Sequence, residues 1–394
     1  MQLKRLVVLG STGTIGQNTL KVVARHPGRF KIVGLTAFHN TALLLRQIRV
    51  FRPAYVAVSR HQMQTIRQNC FLKNIKILDA ETELERLASL PQVDLVVIGI
   101  TGSGALRPFL AALRQGKIVA PANKEALVMA GDILMRAARR YKARIIPIDS
   151  EQSAIFQCLQ GRRRSDLKKV YLTASGGPLA KVPLSRFSRL KLDQVLKHPR
   201  WKMGPKITVD SATLMNKGFE IIEAQRLFNL KLEDIQVVIH PEAVIHSMVS
   251  FKDGSILAQM GITDMRLPIQ YALSYPECWD AQMPDLDFFS VRNLSFGRPD
   301  ERKFPCLGLA RAAARQGKTY PCVLEAADEM AVEAFLQGRI SFNRIHAVVD
   351  RVLQSHRAPG HRLGIKDIEA AAGWAKEQAR RMLGTVTPRS RLNR

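Results

Sequence analysis

The sequence predicts an α/β chain of three parts. An N-terminal domain is built on a mostly parallel sheet with helices on both faces, a central α+β domain carries a mixed or antiparallel sheet, and a small C-terminal domain is helical. Three observations carry this. Up to Ile148, short apolar runs alternate with amphipathic stretches of helical length, the rhythm of a parallel sheet covered on both sides. Between Val237 and Met260, alternating runs flank the hairpin signal Asp253-Gly254. Beyond Pro305 the apolar pattern takes the helical period.

In the first part, residues 6–9, 31–35, 55–58, 76–78, 94–98, 117–120 and 144–148 read as strands, and residues 15–26 and 105–115 as helices. The first strand-to-helix turn is Gly10-Ser-Thr-Gly13-Thr-Ile-Gly16. Glycines there let backbone N–H groups approach a pyrophosphate at a helix N-terminus, as in a Rossmann-like domain. The G-x-x-G-x-x-G spacing is a variant met in NADP-dependent folds; a plain glycine turn is the other reading. After the second strand, where NAD-dependent folds place an acid on the ribose, the chain has Thr36-Ala37-Phe38-His39-Asn40. His39, Asn40 and Arg60 could meet a 2′-phosphate, so NADPH is the expected cofactor. The turn Asn123-Lys124-Glu125 follows the sixth strand. Asn123 there could touch nicotinamide and Lys124 an oxyanion, or the turn is a capped helix start, and both can hold.

The seventh run ends in Pro147-Ile148-Asp149-Ser150-Glu151. In an extended segment Asp149 and Glu151 point the same way, and two acids on one side suit Mg²⁺ or Mn²⁺. The alternative is a helix N-terminus capped by Asp149 or Ser150.

The middle third adds polar motifs. A strand over residues 169–173 ends in Ser175-Gly176-Gly177-Pro178, a hydroxyl and open backbone fit for a phosphate or a simple turn. Residues 197–205 hold His198, Trp201, Met203 and Gly204 between prolines without periodicity, as a lid or a structural turn would. Residues 210–223 read as one capped helix whose Asn216, Lys217, Glu220 and Glu223 share a face, with Leu214, Met215, Phe219 and Ile222 turned to the core. That charged face is either solvated or brings Glu220 to a divalent cation with Asp149 and Glu151. Runs at 237–239, 244–249 and 255–260 suggest antiparallel strands; His240 and His246 within them read as structural, with His246 also placed to line a pocket.

Residues 276–305, rich in Pro, Asp and Arg, read as a linker. Helical patterns follow at 306–315, 323–337, 345–355 and 365–382, with a charged tail at 389–394 and no catalytic constellation. The expected domains are therefore 1–149, 150–275 with a lid over 197–206, a linker 276–304, and 305–394.

The 394 residues carry 60 Lys+Arg against 33 Asp+Glu, a net charge of +27. The excess is scattered and not interleaved with stacking aromatics, which argues against nucleic acid as the main partner. The first residues run straight into a strand, and no apolar run approaches the ~20 residues of a membrane helix, so neither a signal peptide nor a membrane span is expected. Five scattered cysteines without a C-x-x-C read as reduced thiols in a cytoplasmic protein. An NADP-dependent semialdehyde dehydrogenase also opens on such a glycine turn but needs a thiol beside a base; no cysteine lies in a candidate site.

Together and in this order, the motifs resemble the 1-deoxy-D-xylulose 5-phosphate (DXP) reductoisomerase family of the non-mevalonate isoprenoid pathway over essentially the whole chain. The resemblance rests on residues 10–16, Ala-Asn-Lys-Glu-Ala-Leu-Val (122–128), Asp-Ser-Glu (149–151), Ser-Gly-Gly-Pro (175–178) and His-Pro-Arg-Trp-Lys-Met-Gly (198–204). Asp-Ser-Ala-Thr-Leu-Met-Asn-Lys-Gly (210–218), Ile-His-Pro-Glu-Ala-Val-Ile-His-Ser (239–247) and Phe-Pro-Cys-Leu (304–307) extend it. It implies metal-dependent rearrangement of DXP and NADPH-dependent reduction to 2-C-methyl-D-erythritol 4-phosphate, by a cytoplasmic homodimer using Mg²⁺ or Mn²⁺, with Co²⁺ a further candidate. It implies Asp149, Glu151 and Glu220 as metal ligands, and Ser175, Ser211, Asn216 and Lys217 around the substrate phosphate. Lys124, Ser150 and His198 would contact the sugar backbone under a lid of Trp201 and Met203. Thr12, Gly13, Thr14, Ile15, His39, Asn40, Asn123, Glu125 and Gly204 would line NADPH. Two departures stand out: Phe38-His39 where the family has Gly and a small or basic residue, and Glu325 and Asp328 where Asn is commoner.

Overall fold

The computed structural model describes residues 3–70, 74–201 and 203–384. Lys202 of the lid segment and the charged tail 389–394 lie outside the described residues. The chain forms two compact units.

The first unit comprises Met1–Ala126, Leu134–Phe156 and Asp264–Pro284. Its strands and helices alternate: β1 Lys4–Leu9, α1 Thr14–Arg25, β2 Phe30–Ala37, α2 Thr41–Phe51, β3 Tyr55–Val58, α3 Met63–Asn69, β4 Lys76–Asp79 and α4 Leu84–Ala88. There follow β5 Leu95–Ile98, α5 Leu106–Arg114, β6 Ile118–Pro121, α6 Lys124–Arg140, β7 Arg144–Ile145 and α7 Ser150–Cys158. The sheet order is β4-β3-β2-β1-β5-β6-β7, and every neighbouring pair is parallel. β1 at its centre is Leu6-Val-Val-Leu9, with no exposed side chain, because helices cover both faces of a parallel sheet. The expected seventh strand is cut to Arg144–Ile145. Ile146 and Ile148 still donate to the carbonyls of Val119 and Pro121, but α7 begins at Ser150. Glu151 therefore lies in the first turn of a helix, not on an extended segment.

A later helix completes this unit. Ile269, Ala272 and Leu273, from a helix over Arg266–Ser274, enter the core with Leu6, Val8 and Leu20. The Lys4 ammonium donates to the last carbonyls of that helix, Leu273 at 2.8 Å and Tyr275 at 3.0 Å, where a cation also suits the helix dipole.

The second unit comprises Leu127–Ile133, Gln157–Thr263 and Asp285–Arg394. In chain order it adds β8 Leu167–Ala174, α8 Leu192–Val195, α9 Pro205–Thr213, α10 Met215–Leu227, β9 Ile235–Ile239, β10 Ile245–Phe251 and β11 Ile256–Met260. The Arg266–Ser274 helix is α11; then come α12 Phe288–Val291, α13 Pro305–Gln316, α14 Tyr320–Leu336, α15 Arg344–Ser355 and α16 Ile365–Gly384. The sheet order is β11-β10-β8-β9. β10 is antiparallel to β8 and β11, but β9 is parallel to β8 rather than paired in a meander. α9 and α10, inserted between β8 and β9, supply the crossover that a parallel pair requires.

The single helix expected over 210–223 is two. Leu214 takes a left-handed φ of 59°, ending α9 and opening α10. Nor is the charged face of α10 solvated: Lys217, Glu220 and Glu223 are buried together with Met215, Phe219 and Ile222. At Gly218 an added Cβ would fall 2.4 Å from the Ala310 Cβ, so the backbone of α10 packs directly on the Ala310 methyl of α13 there. The region read as a linker holds the short α12 and a bridge between Gly297 and Ile239.

Candidate active site

In the first unit the glycine turn is built by exclusion. Gly10 adopts φ +81°, and a Cβ on Gly16 would lie 2.3 Å from the Gly10 carbonyl oxygen, so only glycine lets α1 start this close to β1. The turn is pinned to β2 and α2. The Gly10 amide donates to Thr36 Oγ1 (2.7 Å), and the Ser11 hydroxyl donates to Gln47 Oε1 (2.7 Å). No side chain caps α1 at Gly13; Gly13 and Thr14 are exposed, and Thr12 and Ile15 half-buried. This open N-terminus of a 12-residue helix suits a pyrophosphate.

Beyond β2, His39 and Asn40 are exposed. Asn40 caps α2, its Oδ1 accepting from the Leu43 amide at 3.0 Å. Arg60 is ion-paired to Asp79 at 3.0 Å. Backbone hydrogen bonding from Glu81, with Arg60 adding to it, holds the Asp79 carboxyl below its usual range.

Asn123 is buried and caps α6, accepting from the Ala126 amide (2.8 Å) and donating to the Ile100 carbonyl (2.9 Å). The cap fixes where α6 begins, so Lys124 and Glu125 occupy its first turn. The nearly buried Lys124 ammonium lies 2.9 Å from Asp149 Oδ2. Next to it, the Ser150 hydroxyl donates to Glu151 Oε2 at 2.5 Å.

In the second unit, Ser175 at the end of β8, Ser211 on α9, and Asn216 and Lys217 on α10 are held by local contacts. Gly177 has φ +70°, and a Cβ there would sit 2.5 Å from the Ser211 carbonyl oxygen. The Ser175-Gly-Gly turn thus rests directly on the backbone of α9. Glu220 has no exposed surface; Asn216 Nδ2 donates to its Oε1 at 2.7 Å, and the Lys217 ammonium pairs with Oε2.

The segment before α9 folds back on the same unit. His198 Nδ1 accepts from the amides of Arg200 (3.2 Å) and Trp201 (2.9 Å), and its Nε2 lies 3.2 Å from Ser175 Oγ. A neutral ring with Nδ1 accepting carries its proton on Nε2, so it donates to Ser175 and leaves the serine O–H free to meet an anion. Burial holds the His198 pKa below its ordinary value. Arg200 Nε donates to the Pro241 carbonyl (2.9 Å), and the Trp201 ring lies 6.3 Å from that of His246. Met203 is half-buried and Gly204 caps α9. His240 is structural: buried, its Nδ1 lies 2.9 Å from the Ser295 carbonyl.

Among the described residues one group of acids has the spacing of a metal-ligand set. A carboxylate oxygen from each of Asp149, Glu151 and Glu220 lies within 4.8 Å of the others. Three hard, anionic oxygens suit Mg²⁺ or Mn²⁺. Arg200, Lys206 and Asp210 went unremarked in the sequence as site-supporting residues, although Lys206 and Asp210 have the i, i+4 spacing of a helical ion pair.

Comparison with known proteins agrees along the chain. Residues 6–131 match the family model of 1-deoxy-D-xylulose 5-phosphate reductoisomerase, residues 145–228 its C-terminal domain model, and residues 260–378 a DXP reductoisomerase C-terminal domain model. The 1-deoxy-D-xylulose 5-phosphate reductoisomerase of Pelotomaculum thermopropionicum is 47% identical over 384 residues, covering 95% of this chain and 97% of that protein. The one from Moorella thermoacetica is 49% identical over 377 residues, with the same coverages, 95% and 97%. Among solved structures, the Zymomonas mobilis reductoisomerase in complex with NADPH superposes with a TM-score of 0.91 at 35% identity, over 97% of this chain and 99% of that one. A DOX-P reductoisomerase in complex with NADPH, fosmidomycin and magnesium superposes with a TM-score of 0.93 at 39% identity, over 97% and 98%.

Proposed function

The chain belongs to the 1-deoxy-D-xylulose 5-phosphate reductoisomerase family, and we propose that the residues described above divide its chemistry between cofactor, cation and substrate phosphate. It rearranges DXP and reduces the product with NADPH to 2-C-methyl-D-erythritol 4-phosphate, in the route to isoprenoid precursors that bypasses mevalonate. The observation that carries this is the match of both halves of the chain to relatives of one activity, with nearly equal lengths.

Residues 1–149 serve NADPH, 150–275 substrate, cation and dimerisation under a lid at 197–206, and 276–304 link these to the helical 305–394. The pyrophosphate meets the glycine turn at Thr12, Gly13, Thr14 and Ile15, with the adenosine end towards His39 and Asn40. Asn123, Glu125 and Gly204 line the nicotinamide end. Asp149, Glu151 and Glu220 hold the divalent cation. When bound, it supplies Lewis acidity that polarises the carbonyl and adjoining hydroxyl oxygens of the ketose.

The chain's own groups do the rest. Ser175, Ser211, Asn216 and Lys217 grip the phosphate, so binding energy is gained away from the reacting carbons. Lys124, oriented by Asp149, donates to a sugar oxygen whose negative charge grows as the carbon–carbon bond breaks. Ser150 and His198 orient the sugar, and Trp201 and Met203 cover it, keeping water from the aldehyde that hydride must reach.

The active species is a homodimer in the cytoplasm. The dimer reading is supported by β11, an edge strand with Ile256 and Leu257 exposed, and by the exposed Phe288, Phe289 and Phe296. The five free cysteines fit a reducing compartment.

The deciding assay follows NADPH absorbance with DXP, with and without a chelator. Oxidation that needs both DXP and a divalent cation, and that fosmidomycin blocks, is expected. Absence of turnover with DXP, or turnover untouched by chelator, would overturn the reading.

A further inference from the structure

Under α9 lies a charge cluster that the reaction above does not use. Lys206, in the first turn of α9, reaches Asp210 one turn on (Nζ–Oδ2 2.8 Å) and Asp328 of α14 (3.2 Å). Asp210 is 2% exposed and Asp328 fully buried, and among the described residues neither Oδ1 of Asp210 nor Oδ1 of Asp328 meets a hydrogen-bond donor. Glu325, a turn earlier on α14 and also buried, adds its negative field to Asp328. From α13, Cys306 faces both aspartates, its thiol pushed well above its ordinary pKa by burial. What α10 presents to the Lys206 ammonium is the Phe219 ring, at 4.9 Å.

Two buried carboxylates share the one Lys206 ammonium, closed to water, and together carry one negative charge more than it balances. Binding one proton removes that charge and supplies the missing donor between the two carboxyl groups.

We propose that Asp210 and Asp328 share one proton at neutral pH, and that this proton makes Asp328 a positioning residue for α9, the helix that presents Ser211 to the substrate phosphate. The second half rests on the phosphate role of Ser211. The chain of contact is short: Asp210 adjoins Ser211, whose carbonyl is seated against Gly177 with no room to move inward. Loss of the proton sets two buried anions against each other across α9 and α14, and α9 gives way with Ser211 on it.

Burial first, and then the Asp328 charge, pushes the Asp210 carboxyl to about 8, against roughly 3.9 in an unfolded chain. The stabilisation is therefore complete below the unfolded value and is lost as pH rises through the folded one.

Asp328→Asn supplies a donor that needs no proton. Unfolding midpoints of the full chain without substrate, measured across neutral and alkaline pH, should fall for the wild type relative to Asp328→Asn as pH rises to about 8, and then run parallel. Over the same interval the KM for DXP should rise several-fold in the wild type, at nearly constant kcat, and stay flat in Asp328→Asn. Lys206→Met removes the cation that competes with the proton, so its alkaline limb should move to higher pH. Superimposable unfolding profiles for wild type and Asp328→Asn, or a Lys206→Met limb moved downward, overturn the shared proton. Diverging unfolding profiles with identical KM profiles overturn the positioning role. Ser211→Ala tests the underlying assignment separately: an unchanged KM at neutral pH sinks the phosphate role of Ser211, and the unfolding profiles still decide the proton.

Discussion

Gly177→Ala tests how the residues proposed to grip the substrate phosphate are assembled. Gly177 sits at φ +70°, where an L side chain costs about 1–2 kcal/mol. The new Cβ would lie 2.5 Å from the Ser211 carbonyl oxygen, 3.1 Å from its carbon and 3.4 Å from the Ala212 Cα. Backbone cannot swing aside as a flexible side chain can, so the turn and α9 must part by several tenths of an ångström, at an overpacking cost of about 1–3 kcal/mol. Gly254→Ala is the matched control: φ is +88°, but nothing lies within 4 Å of its Cβ, so only the backbone cost applies. The difference between the two variants isolates the clash. If that difference falls on substrate binding, the KM for DXP rises about 5- to 150-fold more in Gly177→Ala than in Gly254→Ala. The assay is steady-state kinetics with DXP varied at saturating NADPH and Mg²⁺, alongside NADPH titration by fluorescence, which should not change. Equal KM values for the two variants would refute the claim that Ser175 and Ser211 are held together through this contact.

Three further outcomes follow from the site. Glu220→Gln keeps the shape that Asn216 and Lys217 hold but removes the charge, and should cost at least ~3 kcal/mol, about a hundredfold or more in kcat/KM; calorimetry with Mn²⁺ should show weakened binding, and near-normal turnover would refute the ligand assignment. Lys217→Ala should raise the KM for DXP and leave NADPH affinity intact, and a collapse of cofactor affinity instead would show that the two sites have been divided wrongly. His198 accepts two backbone amides only while neutral, and its pKa is held below the usual ~6.5. Its contribution is therefore present above that value and lost as pH falls through the lowered one, so wild-type KM should climb on the acid side while His198→Asn, which cannot titrate, stays level; parallel acid limbs would rule this out.

The parallel sheet was legible because buried strands such as Leu6-Val-Val-Leu9 announce themselves as apolar runs, and six of the seven strands expected in the first unit stand close to where the pattern put them. The seventh, expected over 144–148, is a strand only over Arg144–Ile145: the Ile146 and Ile148 amides still donate to the Val119 and Pro121 carbonyls, but the chain enters α7 at Ser150, and an apolar run does not announce that turn. Leu214 was invisible because no local signal marks a leucine with left-handed backbone; tertiary packing imposes it. The solvated reading of α10 failed for the same reason. Periodicity sees a charged face but not the partners that let Glu220 and Lys217 be buried. β9 was read as antiparallel because closeness in sequence suggests a meander, whereas the helices between β8 and β9 make a parallel crossover. The site residues were named from motifs and from what the family resemblance implies for them; among the described residues, the structure shows the spacing of a metal-ligand set only for Asp149, Glu151 and Glu220, whose carboxylate oxygens lie within 4.8 Å of one another.

The first unit is assembled from segments that the ribosome delivers far apart in time. Its core needs Ile269, Ala272 and Leu273, and the Lys4 ammonium waits for carbonyls of residues 273–275. A nascent chain halted at Thr263 would hold every strand of the seven-stranded sheet and still lack one wall of its interior. Closure of that interior therefore waits for the translation of α11, long after the glycine turn near its start has been made.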